Sequence, residues 1–538
     1  GDALALFNTF PGSGRVVKLA TKEADYWKSL KIEDSDIEAL FDLFEDGNPH
    51  TTEELVQVIV ASRVRDELKR IGEGLKKGII YQPKSDYSVG DEIAFPSLNY
   101  RRGKVVGKRP GVNPEYGRFD VIQVEFPDTG ETLEFASSFP LPHKLNLEGE
   151  LDGAMPSVST DEILDEHGAV IARRVEEEIQ ENYSGEFVRF NGKWMLADVL
   201  VPFNEGHLNI AEALIEINGK PTPASELLPQ LDIQSDASEE AMLFSLNLAL
   251  ERDERFVNAG SEDEPKWFLW RLLPDAAKET PTWLEYTPIP MPHAIPNVDL
   301  TQITVQIADE WSELLEDLPD EGETVRVTLV VPYHHWRAGT LPLNVWVKKL
   351  VGTGGGRVEP VRFADTRRGK RFTGWVLAEG RYIAGLKEWF EERQIPIGGV
   401  VILERNPDDP EEILIDARSR RPKREWVKEP IVEGNILTFR VNQESISSEF
   451  DEHMLFGKGD FEAVDSLRQS IGSASIHELV RMLFPELAKI KGTVHAKTLY
   501  QAVNMLRRCP PEPIFQVLVS DSSFVDSGDG FWISKGDL

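Results

Sequence analysis

Two segments far apart in the chain repeat one order of residue types. Residues 253–270 read DERFVNAGSEDEPKWFLW and residues 521–534 read DSSFVDSGDGFWIS: an Asp, two variable positions, Phe-Val, an Asn or Asp, a small residue, Gly, an acidic tip and a Trp. Phe-Val starts a strand, the glycines permit the positive φ of a tight hairpin, and the Trp returns to cover whatever lies beneath. A chain that carries such a ribbon twice is assembled from small modules. At 538 residues it is also too long for a single core.

Upstream of each ribbon the match continues. IAEALIEINGKPTPASELL (210–228) parallels HELVRMLFPELAKIKGTVHAKTLY (477–500): an amphipathic helix, a turn with Gly, then a second helix, with Ala224 paired to Ala496 and Leu227 to Leu499. A third helix follows at 239–253 and at 510–521, where Pro511 or Pro513 suits a first turn. Residues 37–60 are a third relative, aligning Gly47 with Gly219, Pro49 with Pro221, Glu54 with Glu226 and Leu55 with Leu227. No ribbon follows it directly, so 61–83 is expected to supply a third helix and a short closing strand. The fragment GEFVRFNGKWML (185–196), behind a helical stretch at 160–183, repeats the hairpin once more.

Three helices followed by a two-stranded ribbon is the order of a winged helix-turn-helix. In the turn before the second helix, the Phe-Val strand start and the Gly-to-Trp wing, residues 210–270 and 477–533 resemble the HARE-type winged helix-turn-helix family, found in the RNA polymerase delta subunit and fused to chromatin and restriction-type DNA proteins. The resemblance covers about a quarter of the chain and implies contact with DNA, with RNA polymerase, or with both. The third helices depart from it in being poor in cations: one offers Arg252 and Arg255, the other only Arg507 and Arg508 ahead of it. The wing tips, with Asp526 and Asp529 in one and Glu262, Asp263 and Glu264 in the other, are expected to meet protein or hold the fold closed.

Two β-rich stretches interrupt the helical units. In 87–139, alternation in VGDEIAF, GKVVG, FDVIQVEF and ETLEFA predicts about five short strands, and the segment looks like small barrels of the Tudor, KOW or CarD-interaction kind. Its basic island contains Arg101, Arg102, Lys104, Lys108 and Arg109, candidates for phosphate contact. Residues 324–426 are read as strand-rich with one helix, AGLKEWFEERQI. FADTRRGKRFTGWVL and GLKEWFEERQIPIGGVVILER resemble the pseudobarrel DNA-binding domain of plant auxin-response-type transcription factors and bacterial restriction-enzyme relatives, with Gly399 where an Asp is usual. That resemblance implies strand loops entering the major groove. Arg367, Arg368, Lys370 and Arg371 occupy such a loop, and RSRRPKREW, with Arg418, Arg420, Arg421, Lys423 and Arg424, flanks the barrel.

Against 59 basic residues stand 92 acidic ones, a net charge of −33. Repulsion of DNA by that charge is screened beyond a Debye length of about 8 Å, and acidic faces would reject non-specific sites. The acidic stretch 308–323 reads as a solvated linker. No apolar run is long enough to cross a membrane and no signal peptide is evident, so no membrane partner is expected. The one cysteine, Cys509, points to a reducing cytoplasm. His334 and His335 lie among aromatics without a second ligand pair, which predicts strand or loop surface rather than a metal site. VGTGGGRVEP lacks the Lys-Ser/Thr of a phosphate cradle, and no nucleophile elbow or H-E-x-x-H is present. No catalytic residue, metal or cofactor is therefore expected.

The fold class expected is α+β multidomain, with repeated winged helix-turn-helix units alternating with two small β-barrels. The divisions are a winged-helix-like helical domain (1–83), a small barrel (84–148), a helix plus hairpin (149–204), a winged helix (205–296), an acidic helical linker (297–323), a pseudobarrel-like domain (324–430), a connector (431–470) and a C-terminal winged helix (471–538). The function expected is DNA binding in transcription or its regulation. The alternatives are an RNA polymerase-associated interaction module and a subunit of a DNA-processing or defence system.

Overall fold

The computed structural model describes residues 19–77, 79–95, 98, 101–112, 116–143, 145–146, 159–261, 263–292, 295–316, 322, 324–471 and 473–537. Glu262 and most of 317–323 in the expected linker lie outside the described residues. The chain is mixed α and β with several separate sheets. It divides into two compact units, one of residues 1–202 with 234–245, the other of 203–233 with 246–538.

In the first unit, helices Asp34–Leu43, Thr52–Lys77 and Thr160–Asn182 surround a core of Trp27, Leu40, Leu55, Ile59, Ile171, Val175, Ile179 and Phe187. The hairpin of Phe187–Phe190 and Lys193–Leu196 closes it, turning at Asn191 and Gly192, both at positive φ as a two-residue turn requires. Its second strand pairs with His50–Thr51, 142 residues upstream at Thr51↔Lys193. The expectation that 61–83 would close this module is therefore corrected. Leu55, Ile59 and Val64 continue one apolar stripe, so 61–77 extends the second helix, and the third helix comes from beyond the β insertion.

That insertion is a five-stranded sheet in the order Ile79–Ile80, Glu92–Phe95, Arg101–Pro110, Asp120–Phe126, Glu131–Ser137. It curls so that the segment after the first strand meets the end of the last: Tyr81 donates its hydroxyl to the Ala136 carbonyl at 2.7 Å, and the Ser138 N–H donates to Ser85 O at 2.9 Å.

The second unit contains an open seven-stranded sheet in the order Arg326–Val330, Val400–Arg405, Glu412–Asp416, Glu359–Asp365, Arg371–Leu377, Tyr382–Ala384, Leu341–Pro342. All neighbours are antiparallel except Glu359–Asp365 with Glu412–Asp416. Its two edge strands do not pair, so the expected second barrel is not closed. Within 324–426, read as strand-rich with one helix, residues 340–351 (TLPLNVWVKKLV) instead form largely a second helix, Val345–Val351, started by the Asn344 side chain, which accepts from the Val347 N–H at 3.0 Å. Beyond the sheet the chain forms a long ribbon, Ser419–Glu433 paired with Ile436–Ser448. The expected break at 430/431 falls inside it.

Residues 253–270 and 521–534 fold alike. In each ribbon the residue after Phe-Val binds the Gly two positions on: Asn258 Oδ1 accepts from Gly260 N–H at 2.9 Å, and Asp526 Oδ1 from Gly528 N–H at 2.8 Å. This is the Asx turn that the repeated Asn/Asp–small–Gly pattern encodes. Strand orders agree as well, since each hairpin's second strand lies centrally beside a short strand, Thr222–Pro223 in one case and Val494–His495 in the other.

At the C-terminal end, every residue of helix Ala496–Leu506 is buried. Its polar side chains are all partnered: Lys497 with Asp451 at 2.6 Å, Thr498 with His453 O, Gln501 with Tyr333 N and Met454 O, Asn504 with Tyr500 O and Cys509 O. Two further expectations are corrected here. His334 and His335 sit at zero exposure on helix Tyr333–Ala338, drawn inward where Tyr333 N meets Gln501. In the stretch read as solvated, Asp309, Glu310 and Ser312 are buried, because Arg508 and Glu512 supply partners.

His495 stacks on His453 with centroids 3.7 Å apart and planes at 6°. Burial, then the His453 ring and Lys497, lower the His495 pKa to about 3; burial also lowers His453, against Glu452 and Asp451. The unfolded chain therefore binds these protons first. Stability is intact above pH ~6.5 and falls on acidification by up to about 1.4 kcal/mol per pH unit for a ring that stays neutral. His495 Nδ1 also accepts from Lys497 N–H at 3.1 Å as a helix cap, a role Asn can keep. His495→Asn is thus expected to flatten the pH dependence of urea unfolding between pH 6.5 and 4.5 by about one proton. Identical slopes in the two proteins would refute the assignment.

Candidate nucleic-acid interface

Asp365 ends its strand with a carboxylate at 1% exposure. Arg393 Nη1 lies 2.6 and 2.7 Å from its two oxygens, Trp389 Nε1 donates at 2.7 Å, and the backbone N–H groups of Arg367 and Arg368 both donate to Oδ1 at 2.9 Å. Burial pushes this carboxyl up, but the Arg368 N–H, Trp389, the Arg367 N–H and Arg393 outweigh it and hold the pKa below the usual range. Gly369, at φ +64°, lets Lys370 O return to Asp365 N–H at 2.9 Å. The loop that carries Arg367, Arg368 and Lys370 is thus a rigid turn.

Arg393 Nη2 reaches on to Asp416 Oδ1 at 3.0 Å and Ala417 O at 2.7 Å, and Thr366 N–H donates to Ile415 O at 3.1 Å. Arg418 follows immediately. The 367–371 and 418–424 islands, nearly fifty residues apart in sequence, therefore meet at one end of the seven-stranded sheet.

The ribbon turns at Gly434 and Asn435, both at positive φ. Its register is irregular between Ser419 and Lys423, where a bulge re-aims the basic side chains. Arg424 and Trp426 share one face with their cross-strand partners Ser445 and Gln443. Trp426 is 66% exposed, a large apolar surface left in water beside the exposed Arg424.

Charge is distributed unevenly over this end. Arg368 and Lys370 share Glu392 at 3.7 and 2.6 Å, Lys370 also reaches Glu388, and Arg371 meets Glu412 at 2.7 Å. Arg418 pairs with Glu449, while Arg420 and Lys423 share Glu425. Arg367, Arg421 and Arg424 have no ion-pair partner among the described residues. Nine cations (Arg367, Arg368, Lys370, Arg371, Arg418, Arg420, Arg421, Lys423, Arg424) thus have five carboxylates as ion-pair partners (Glu388, Glu392, Glu412, Glu425, Glu449), and adding Arg393 with Asp365 and Asp416 gives ten cations against seven carboxylates, a local positive excess on a chain of net −33.

The island in the first unit is different. Arg101 is held by Asp128 at 2.7 Å and lies over the Phe126 ring, Lys108 is bound by Asp86 and Asp120, and Arg109 meets Glu134 at 2.6 Å. Arg102 and Lys104 are exposed. Arg101, Lys108 and Arg109 therefore spend their charge on carboxylates of the same sheet and its turns. Two cations flanking the third helices are also occupied internally, Arg255 by Asp253 and Glu212, Arg508 by Asp309 and Glu310. Helix Pro511–Ser520, the third helix of the last module, is almost wholly buried and cannot enter a groove.

Trp426, Gln443 and Ser445 were not among the residues expected at a site. The signal for them was present in the Gly-Asn turn between two alternating runs, WVKEPIVE and ILTFRVNQ. Comparison with known protein families, with curated proteins and with solved structures yields no match to this chain.

Proposed function

We propose that this protein binds duplex DNA through the 365–371 turn and the basic end of the 419–448 ribbon, and acts in transcription or its regulation as a binding protein rather than an enzyme. The observation that carries this reading is the meeting of two basic islands at one sheet end, with Trp426 exposed beside Arg424. A two-stranded ribbon fits the major groove, where Gln443 could pair an adenine edge and arginines the phosphates or guanines. Three helical modules closed by short hairpins, read as winged helix-turn-helix units, serve as scaffold and protein-contacting parts; the buried third helix at the C-terminus supports that division of labour.

Arg421→Ala with Arg424→Ala is expected to weaken binding to a 30-base-pair duplex by about tenfold or more and to reduce the slope of log K against log[salt] by about 2. Arg109→Ala, which removes a cation already paired with Glu134, should change affinity by less than about twofold. Absence of wild-type binding at about 50 mM salt in fluorescence anisotropy, or an unaltered slope in the double variant, would exclude this interface.

A second reading, attachment to RNA polymerase or another assembly, draws on the exposed acids Asp263, Glu264 and Asp529 at the hairpin tips. Retention of the protein on immobilised polymerase in the absence of DNA distinguishes it.

A further inference from the structure

Behind the seven-stranded sheet, three segments of the second unit bring a closed set of polar groups together at essentially zero exposure. Asp309 and Glu310 follow helix Val298–Ile307, His334 and His335 lie on helix Tyr333–Ala338, Tyr500 lies on helix Ala496–Leu506 and Arg508 in the segment just after it. Arg508 Nη2 binds Asp309 Oδ1 at 2.7 Å and Glu310 Oε1 at 2.6 Å, and the Tyr500 hydroxyl donates to Asp309 Oδ2 at 2.6 Å. Those bonds use one oxygen of Glu310. The other, Oε2, faces His335 Nε2 at 3.2 Å.

The two histidines are incompletely satisfied. Among the described residues neither ring nitrogen of His334 has a hydrogen-bond partner, and His335 Nε2 also lacks one of acceptable geometry, although each side chain is 0% exposed. Leaving such groups bare in the interior costs about 1–3 kcal/mol apiece, so a pair of them calls for an occupant. A ligand atom from each of Glu310, His334 and His335 lies within 4.8 Å of the other two. Tetrahedral coordination at about 2.0–2.1 Å places ligand atoms about 3.4 Å apart, a spacing that small rotamer adjustments reach from here.

We propose that Glu310, His334 and His335 form a buried binding site for one divalent cation of the zinc class. Imidazole and carboxylate together suit Zn²⁺, with Co²⁺ and Ni²⁺ as substitutes. The outer contacts are those a metal site uses: His335 Nδ1 is fixed by Thr340 Oγ1 at 2.8 Å, and Arg508 orients the second oxygen of Glu310. Two carboxylates and one guanidinium leave the cluster one negative charge in excess. A proton on His335 would balance that charge, but it would still leave His334 without a partner, whereas a cation engages both rings. The site is sealed from solvent, so its role is structural: it fastens the 309–312 segment and helix Tyr333–Ala338 to the C-terminal helices through Arg508.

The test uses the full chain, stripped with a chelator and then given Zn²⁺ or Co²⁺ alone. Wild type is expected to retain about one equivalent of zinc per chain through gel filtration, to show the visible absorption of four-coordinate Co²⁺, and to melt a few degrees higher with metal than without. His334→Leu should lose the retained metal and the melting shift while keeping the circular dichroism of the stripped wild type. Glu310→Gln provides an independent second substitution should His334→Leu fail to fold, and the wild-type stoichiometry alone is decisive. Failure of stripped wild type to take up zinc or cobalt overturns the proposal, as does unchanged uptake in both variants.

Discussion

Replacing Arg508 with methionine is expected to destabilise the C-terminal half of the protein by about 3–5 kcal/mol. Arg508 is fully buried and is the cation shared by Asp309 and Glu310. Burial pushes the Asp309 carboxyl up and the Glu310 charge adds to that; in Glu310 itself Arg508 and His335 outweigh burial and hold the carboxyl low. Methionine fills much of the volume but leaves two carboxylates facing each other in the interior. Asp309 would then protonate or the 308–316 segment would leave the core, exposing Tyr500. Urea unfolding monitored by circular dichroism measures the loss. Coupling is the sharper check: adding Asp309→Leu to Arg508→Met should recover part of the stability, since an apolar replacement of a buried pair is far less costly than one orphaned partner. A single variant within about 1 kcal/mol of wild type would show that the network is not closed as described.

Arg393→Met is the second substitution with a large expected effect. It strands Asp365, which is 1% exposed, with only Trp389 and two backbone N–H groups. A cost of about 3–5 kcal/mol follows, centred on the turn and on the link to Asp416 and Ala417. Limited proteolysis should reveal early cleavage near 365–371, where wild type resists. Under the DNA reading, this variant also loses affinity without losing any cation that contacts phosphate, because the turn no longer holds Arg367 and Arg368 in place. Asp365→Asn provides the contrast: it can still accept from the two backbone groups, and its cost should be smaller. Equal resistance to protease in wild type and Arg393→Met would remove the argument that this turn is preorganised.

Local patterns in the sequence announced what local physics controls. Phe-Val followed by Asn or Asp, a small residue and Gly encodes an Asx turn, and both copies form it. Ser475 and Glu478 form a reciprocal cap at the start of helix Ile476–Lys491, again within a single turn. Most of what failed depended on distant chain; helix Val345–Val351, started by its own Asn344 cap, was a local miss. The N-terminal helices lack a hairpin in sequence because a five-stranded sheet is inserted between their second and third members, and pairing across that insertion leaves no local trace. The second strand of the ribbon was missed because it is mostly solvated and its alternation is polar.

By itself the amino-acid sequence determined the modules: their turns, caps and apolar stripes act over a few residues, within reach of backbone hydrogen bonds. Only the tertiary structure decided which charges are spent and which are left. Arg101, Lys108 and Arg109 carry the same charge as Arg367, Arg421 and Arg424, yet the first three pair with carboxylates from neighbouring strands and turns, while the last three have no ion-pair partner among the described residues. The same holds for the histidine pair, whose burial depends on a helix more than 160 residues later, at Gln501. Electrostatics and burial act through space, and two residues become neighbours only when the fold closes the distance between them.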